Sequence, residues 1–276
     1  MAQRERVELR PGDSDPLAYA VAQNDARTLD MVRAALEARR LKLAFQPVVE
    51  TRRPGRTAFH EGLIRILDPQ DRIIPAADFM GVVEQEDLGR QIDCAALEIG
   101  LGVLRRHPVQ RLSLNMSARS IGYPRFNAIL ARALAAQPAL GPRLILEITE
   151  GSAMQVPELV SAFMAGLQRQ GVTFALDRFG AGATVLRRLA DLDFDLVKID
   201  GRLVRGIDRS ADLRHLAEGL AMLARHFGMA TVAESVETAE AAAVLSAIGV
   251  DCLQGWHVGA PSLRPAFMAE GARRRA

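Results

Sequence analysis

Apolar residues in this chain gather into short runs, and the segments between the runs carry apolar positions at helical spacing. The runs predict strands near 42–49, 57–67, 111–116, 143–149, 172–177, 195–199, 230–235 and 252–255. The intervening periodicity predicts helices near 76–86, 90–106, 124–137, 156–169, 183–190, 211–226 and 238–247. A further helical pattern runs from Pro16 to about Arg40, with Leu29, Val32, Leu36 and Leu41 at roughly helical spacing. Strands separated by helical segments of about ten residues or more indicate βα units and a mostly parallel sheet. Eight strands within about 240 residues fit a closed barrel better than an open sheet. The first two strands are joined only by TRRPGR, which favours a local antiparallel pair whose basic tip is a solvated turn.

No internal repeat or low-complexity linker interrupts the pattern, so one barrel domain is expected over 16–262, with a C-terminal tail at 263–276. Residues 1–15 hold charge, turn formers and no periodicity, and are expected to be mobile. Apolar residues make up 49% of the chain, enough for a sizeable core. The net charge of +2 is too mild to argue for a nucleic-acid polymer as partner. No apolar run reaches spanning length, and the polar start MAQRERVELRPGDSD has no signal-peptide core. A cytoplasmic protein without membrane insertion is therefore expected. Cys94 and Cys252 fit neither a disulfide framework nor a zinc pattern and read as ordinary thiols in a reducing compartment.

The candidate chemistry lies at the ends of the apolar runs, at Glu61, Asn115, Glu147, Asp177, Lys198, Glu234 and Gln254. In a parallel barrel the strand C-terminal ends converge on one mouth, so these side chains would share a site. Carboxylates with an amide are hard-oxygen ligands suited to Mg²⁺ or Mn²⁺. Lys198 stands out because the only other lysine is Lys42; every other basic residue, histidines aside, is arginine. A compact ammonium differs chemically from a planar guanidinium. Each residue taken alone has an ordinary reading: Asn115 and Asp200 as turn formers, Glu234 and Glu237 as helix caps. Strand alternation turns His60 away from the mouth and into packing, while His257 reads as a rim or core histidine.

The ordered set FQPVV (45–49), EGLIR (61–65), IIPAADF (73–79), SLNMS (113–117), LEITE (146–150), DRFGAG (177–182), VKID (197–200), AESVE (233–237) and LQGW (253–256) resembles the EAL domain family. The likeness covers about residues 25–262. It implies a modified (β/α)₈ TIM-like barrel with an antiparallel first strand, and a cyclic di-GMP phosphodiesterase-like site. Active members use two Mg²⁺ or Mn²⁺ ions to cleave one phosphodiester and release pGpG. Two metals suit that reaction, since they generate hydroxide near neutral pH and stabilise charge at phosphorus. By this resemblance Glu61, Asn115 and Glu147 would hold the first metal, Asp177 would bridge, and Glu234 would ligate the second. Lys198 would orient the attacking water and Gln254 the metal-bound network. Arg65 would pair with a phosphate, and Gln46, Pro47 and Leu63 would line the nucleotide pocket. Glu150, Asp200 and Glu237 would support the loops and the lysine.

The chain departs from the family pattern at Arg178, which stands where active members carry a second metal-binding aspartate. Arginine stays protonated in proteins and cannot replace a ligand. Two unit charges about 4 Å apart at an effective dielectric near 20 interact by about 4 kcal/mol, doubled for a divalent ion. One metal site is therefore expected and a second doubted. The family's GTGYSSL loop is altered to GAGATVL, with Ala181, Ala183, Thr184 and Val185 at its changed positions. Three functions follow as expectations: a cyclic di-GMP receptor with lost or weak hydrolysis, an active phosphodiesterase, or a nucleotide-independent adaptor that binds another protein. A homodimer is a further option. No cyclase, receiver or sensor segment is read in the chain, so input is expected through partners or ligand level.

Overall fold

The computed structural model describes residues 16–53, 55–182, 189 and 191–273. The segment 1–15 and all but Leu189 of the helix expected at 183–190 lie outside the described residues. Nine strands are described: β1 Leu41–Glu50, β2 Thr57–Leu67, β3 Ile73–Pro75, β4 Leu112–Asn115, β5 Leu144–Thr149, β6 Thr173–Phe179, β7 Leu196–Ile199, β8 Ala230–Ala233 and β9 Cys252–Leu253. Eight of them close into a barrel. Its neighbours β2, β4, β5, β6, β7, β8 and β9 pair in parallel, in that order. β1 closes the ring by pairing antiparallel with both β2 and β9. The short β3 pairs only with β2, outside the ring.

The described helices are α1 Pro16–Glu37, α2 Met80–Val83, α3 Asp87–Arg106, α4 Pro124–Ala136, α5 Glu150–Gln155, α6 Pro157–Gln168, α7 Gly201–Val204, α8 Ala211–His226, α9 Ala239–Ala247 and α10 Ala266–Arg273. In α3, Leu88, Ile92, Leu97, Leu101 and Leu104 form a buried stripe at helical spacing, and Arg105 and Arg106 complement the carbonyl end. The helix stops at His107, because the following Pro108 disfavours helical backbone before it. The single helix expected at 76–86 is broken. Phe79 takes φ −137° and buries its ring against Val32, Ile66 and Val83, leaving a 3₁₀ turn at Ala76–Asp78 and the short α2. Burial of an aromatic ring outweighs one turn of helical backbone. The strands β8 and β9 are also shorter than expected, because Ser235 adopts φ 55° and Gly255 packs onto the Val236 backbone.

Residues 263–276, expected as a tail, contain α10, which lays Phe267 against Phe45, His60 and His107. His60 thus faces packing rather than the mouth. Among the described residues no helix is long and apolar enough to cross a membrane.

The barrel interior is layered with period two. Val48, Phe59, Ile145, Ala175 and Val232 form a buried apolar layer, with Leu196 and Cys252 packed against it. Two residues along each strand lie Gln46, Glu61, Glu147, Asp177, Glu234, Lys198 and Gln254. Alternation keeps both sets inward, so an apolar floor supports a polar layer at the mouth.

Candidate functional site at the barrel mouth

The polar layer is centred on Lys198, whose side chain is 1% exposed. Its Nζ donates to Glu61 Oε2 at 2.9 Å and Glu147 Oε2 at 2.8 Å, and lies 2.8 Å from Glu234 Oε1. Asp177 Oδ1 stands 3.9 Å away. Asn115 Nδ2 donates to Glu61 Oε1 at 2.6 Å, and Gln254 Nε2 donates to Glu61 Oε2 at 2.5 Å and to Gln46 Oε1 at 3.2 Å. Asn115 and Glu147 are register partners on β4 and β5, which explains why both reach the same layer.

Four carboxylates around one buried ammonium leave an excess of negative charge, and the protonation of Glu61, Glu147 and Glu234 responds to it. Burial opposes the Glu61 charge, but Lys198 and the donors Gln254 and Asn115 outweigh it and hold the carboxyl below its ordinary value. Burial and then the Glu61 charge push Glu147 up against the pull of Lys198. Burial likewise raises Glu234. Burial disfavours a charged Lys198, yet Glu147, Glu234 and Glu61 together hold it protonated well above its usual range. In this arrangement Lys198 is thus held as a charged donor. Hydrogen bonds to Glu61 and Glu147 and the ion pair with Glu234 hold the ammonium at the centre of the layer.

The donor set suits a hard divalent cation. The buried oxygens Glu147 Oε1, Asp177 Oδ1 and Gln254 Oε1 have no hydrogen-bond partner, and the excess negative charge calls for a cation. Among the described residues no group of three or more histidine, cysteine, aspartate or glutamate side chains is gathered tightly enough to hold a metal as placed. The carboxylates converge on the ammonium instead.

Above this layer opens a cleft of about 630 Å³. Gln46, Glu61, Leu63, Asn115, Asp177, Arg178, Glu234, Glu237 and Gln254 are on its wall. Glu147 and Lys198 lie beneath them. Pro47 and Arg65 are not among the wall residues: Gly259 packs against Pro47, and Arg65 Nη1 donates to the Ile64 carbonyl at 2.9 Å. Arg65 shares its strand face with Glu61 and Leu63 but lies farther along β2. Glu150 accepts from Gly180 N at 3.0 Å and so ties down the loop after β6. Asp200 caps α7 through Arg202 N and pairs with Arg202 Nε at 2.9 Å; its side chain supports the helix rather than the lysine.

Arg178 reaches the cleft through a bulge. Between Leu176 and Phe179, β6 advances three residues while β7 advances two, from Val197 to Ile199. Arg178 takes φ 57° at this extra position. Strict alternation would send its side chain opposite to Asp177; the bulge brings both to the mouth. Arg178 Nε lies 3.9 Å from Asp177 Oδ2, with the side chain 68% exposed.

Sequence reasoning missed two features of the wall. Asp93 on α3 is buried at the cleft, accepting from Ser120 Oγ at 2.6 Å and Ser117 N at 2.9 Å. Its signal is a carboxylate inside the apolar stripe between Ile92 and Leu97. The other is Trp256, which the motif comparison used only as a marker of the last strand.

The family model described as EAL domain matches residues 29–261. The cyclic di-GMP phosphodiesterase PdeF of Escherichia coli K12 is 29% identical over 237 residues, covering 84% of this chain and 31% of PdeF. PdeL of the same organism, also named a cyclic di-GMP phosphodiesterase, is 30% identical over 251 residues, covering 88% of this chain and 68% of PdeL. The chain spans about a third of the length of the first curated relatives it matches. Among solved structures, the PaMucR phosphodiesterase in complex with c-di-GMP superposes with a TM-score of 0.77 at 28% identity, covering 87% of this chain and 98% of that one. The FimX EAL domain from Pseudomonas aeruginosa bound to c-di-GMP gives 0.77 at 26% identity, covering 86% and 96%. With a β1 antiparallel to both neighbours and an acid, amide and lysine layer at the mouth, this chain belongs to the EAL domain family.

Proposed function

We propose that this chain binds cyclic di-GMP in the cleft at the barrel mouth and hydrolyses it slowly or not at all. The observation that carries the reading is Arg178, whose side chain lies on the cleft wall beside Asp177 where a second metal would be needed. A guanidinium repels a divalent ion and offers a planar fork of donors to a phosphate. Glu61, Asn115, Glu147 and Asp177 would hold one Mg²⁺ or Mn²⁺, with Glu234 left to a doubtful second. When bound, such an ion supplies a nucleophile near neutral pH and neutralises charge at phosphorus. The chain's own residues do the rest. Lys198 gathers the carboxylates, Gln254 and Asn115 hold Glu61, and Gln46 and Leu63 shape the nucleotide wall. A cytoplasmic setting is part of the same reading.

A second reading, an active phosphodiesterase, is favoured by one specific observation: Glu61, Lys198, Glu234 and Gln254 still contact one another. The two separate in a chromatographic time course of cyclic di-GMP with excess protein and Mn²⁺, run beside calorimetric titration. Binding without pGpG over hours is expected from the wild type, and Arg178→Asp should raise pGpG formation at least tenfold. Formation of pGpG in proportion to wild-type protein would establish the enzyme instead. No activity in Arg178→Asp would mean that Arg178 alone does not account for the defect. Absence of binding would leave the adaptor.

A further inference from the structure

Trp256 is the only tryptophan of the chain, and its side chain is 71% exposed at the edge of the cleft. An indole offers a large apolar face, and leaving it in water forgoes the burial such a ring usually gains. The base on which it stands is rigid. Val236 N donates to the Gln254 carbonyl at 3.0 Å, His257 N to Val236 O at 3.0 Å, and Gly259 N to Gly255 O at 3.0 Å. Gln46 Nε2 pins the far end through Gly259 O at 3.1 Å. Gly255 lies so close to Val236 that a Cβ there would run into its backbone. A firmly held turn therefore presents an uncovered aromatic side chain beside a polar, cation-suited centre. The cleft lining also carries the apolar side chains Ile64, Ala76, Met80 and Ile92.

We propose that Trp256 is a stacking platform for one guanine ring of the cyclic dinucleotide, while a phosphate faces Arg178 on the same cleft wall. This inference rests on the reading of the cleft as a cyclic di-GMP site. Base–aromatic stacking needs no hydrogen bond from the protein and loses little entropy when the platform is already fixed.

The single tryptophan makes the test direct. The full chain is titrated with cyclic di-GMP, with affinity read by calorimetry and emission read from Trp256. Saturable quenching with the calorimetric midpoint is expected. Trp256→Ala should weaken binding about 5- to 100-fold with an unchanged melting midpoint, whereas Trp256→Phe should retain most of the affinity. If Trp256→Ala binds as tightly as the wild type, the stacking role is overturned, whatever the emission does, and the cyclic di-GMP reading stands. If the wild type shows no calorimetric binding, the cyclic di-GMP reading falls and the stacking role with it.

Discussion

A buried charge is tolerated only where something answers it, and the mouth of this barrel answers Lys198 with three carboxylates in hydrogen-bond range. Asp93 is answered less fully. Two donors reach it, yet burial exceeds their effect and pushes its carboxyl from 3.8 up to about 7. A raised acid gives the folded state extra protons between those values. Its contribution to stability is complete below the unfolded value and lost as pH rises through the folded one. Asp93→Asn removes this titration. Between pH 5 and 7.5 the variant should gain about 2–3 kcal/mol relative to the wild type, measured by urea unfolding at both pH values. The other raised carboxylates, Glu147 and Glu234, cancel in that difference. A constant gap between the two proteins would show that Asp93 is charged throughout.

Strands and turns decide which side chains meet. Period-two alternation puts Glu61, Glu147, Asp177, Lys198 and Glu234 above an apolar layer, but it does not account for Arg178, which depends on one extra residue in β6. The turn after β9 is equally particular, since Gln254 and Trp256 flank a glycine packed against the Val236 backbone. Gly255→Ala must displace that turn. It should cost about 1–3 kcal/mol in urea unfolding and weaken cyclic di-GMP binding in calorimetry, because both flanking side chains shift together. A variant neutral in both measurements would mean the turn has slack that the packing does not show.

The closed ring makes the molecule one packed object, with helices outside and the polar layer capping one end. Its seam is β1, antiparallel to both neighbours, and α10 packs Phe267 against Phe45 of that strand with ring centroids 5.5 Å apart. This helix lies beyond residues 29–261, the part matched by the family. Phe267 is buried, and Phe267→Ala should destabilise the fold by about 3–5 kcal/mol in urea unfolding. Nucleotide affinity should be unchanged, since Phe267 packs on His60, whose side alternates away from Glu61 and the cleft. A loss of affinity without a loss of stability would put α10 in communication with the mouth.

The alternation of strand and helix, the barrel and its antiparallel first pair were legible in the chain, because hydrophobic periodicity is local and strongly repeated here. So was the membership of the site, since Glu61, Asn115, Glu147, Asp177, Lys198, Glu234 and Gln254 close successive apolar runs. What pattern could not supply are properties set by distant neighbours. Phe79 breaks a helix for a core contact, and Lys198 meets carboxylates from three other strands or loops. Arg65 turns to its own backbone, and Trp256 stays uncovered on a fixed turn. Local sequence sets which residues face inward; the registry of eight strands sets which of them touch, and charge and burial at the mouth exist only after that registry has closed.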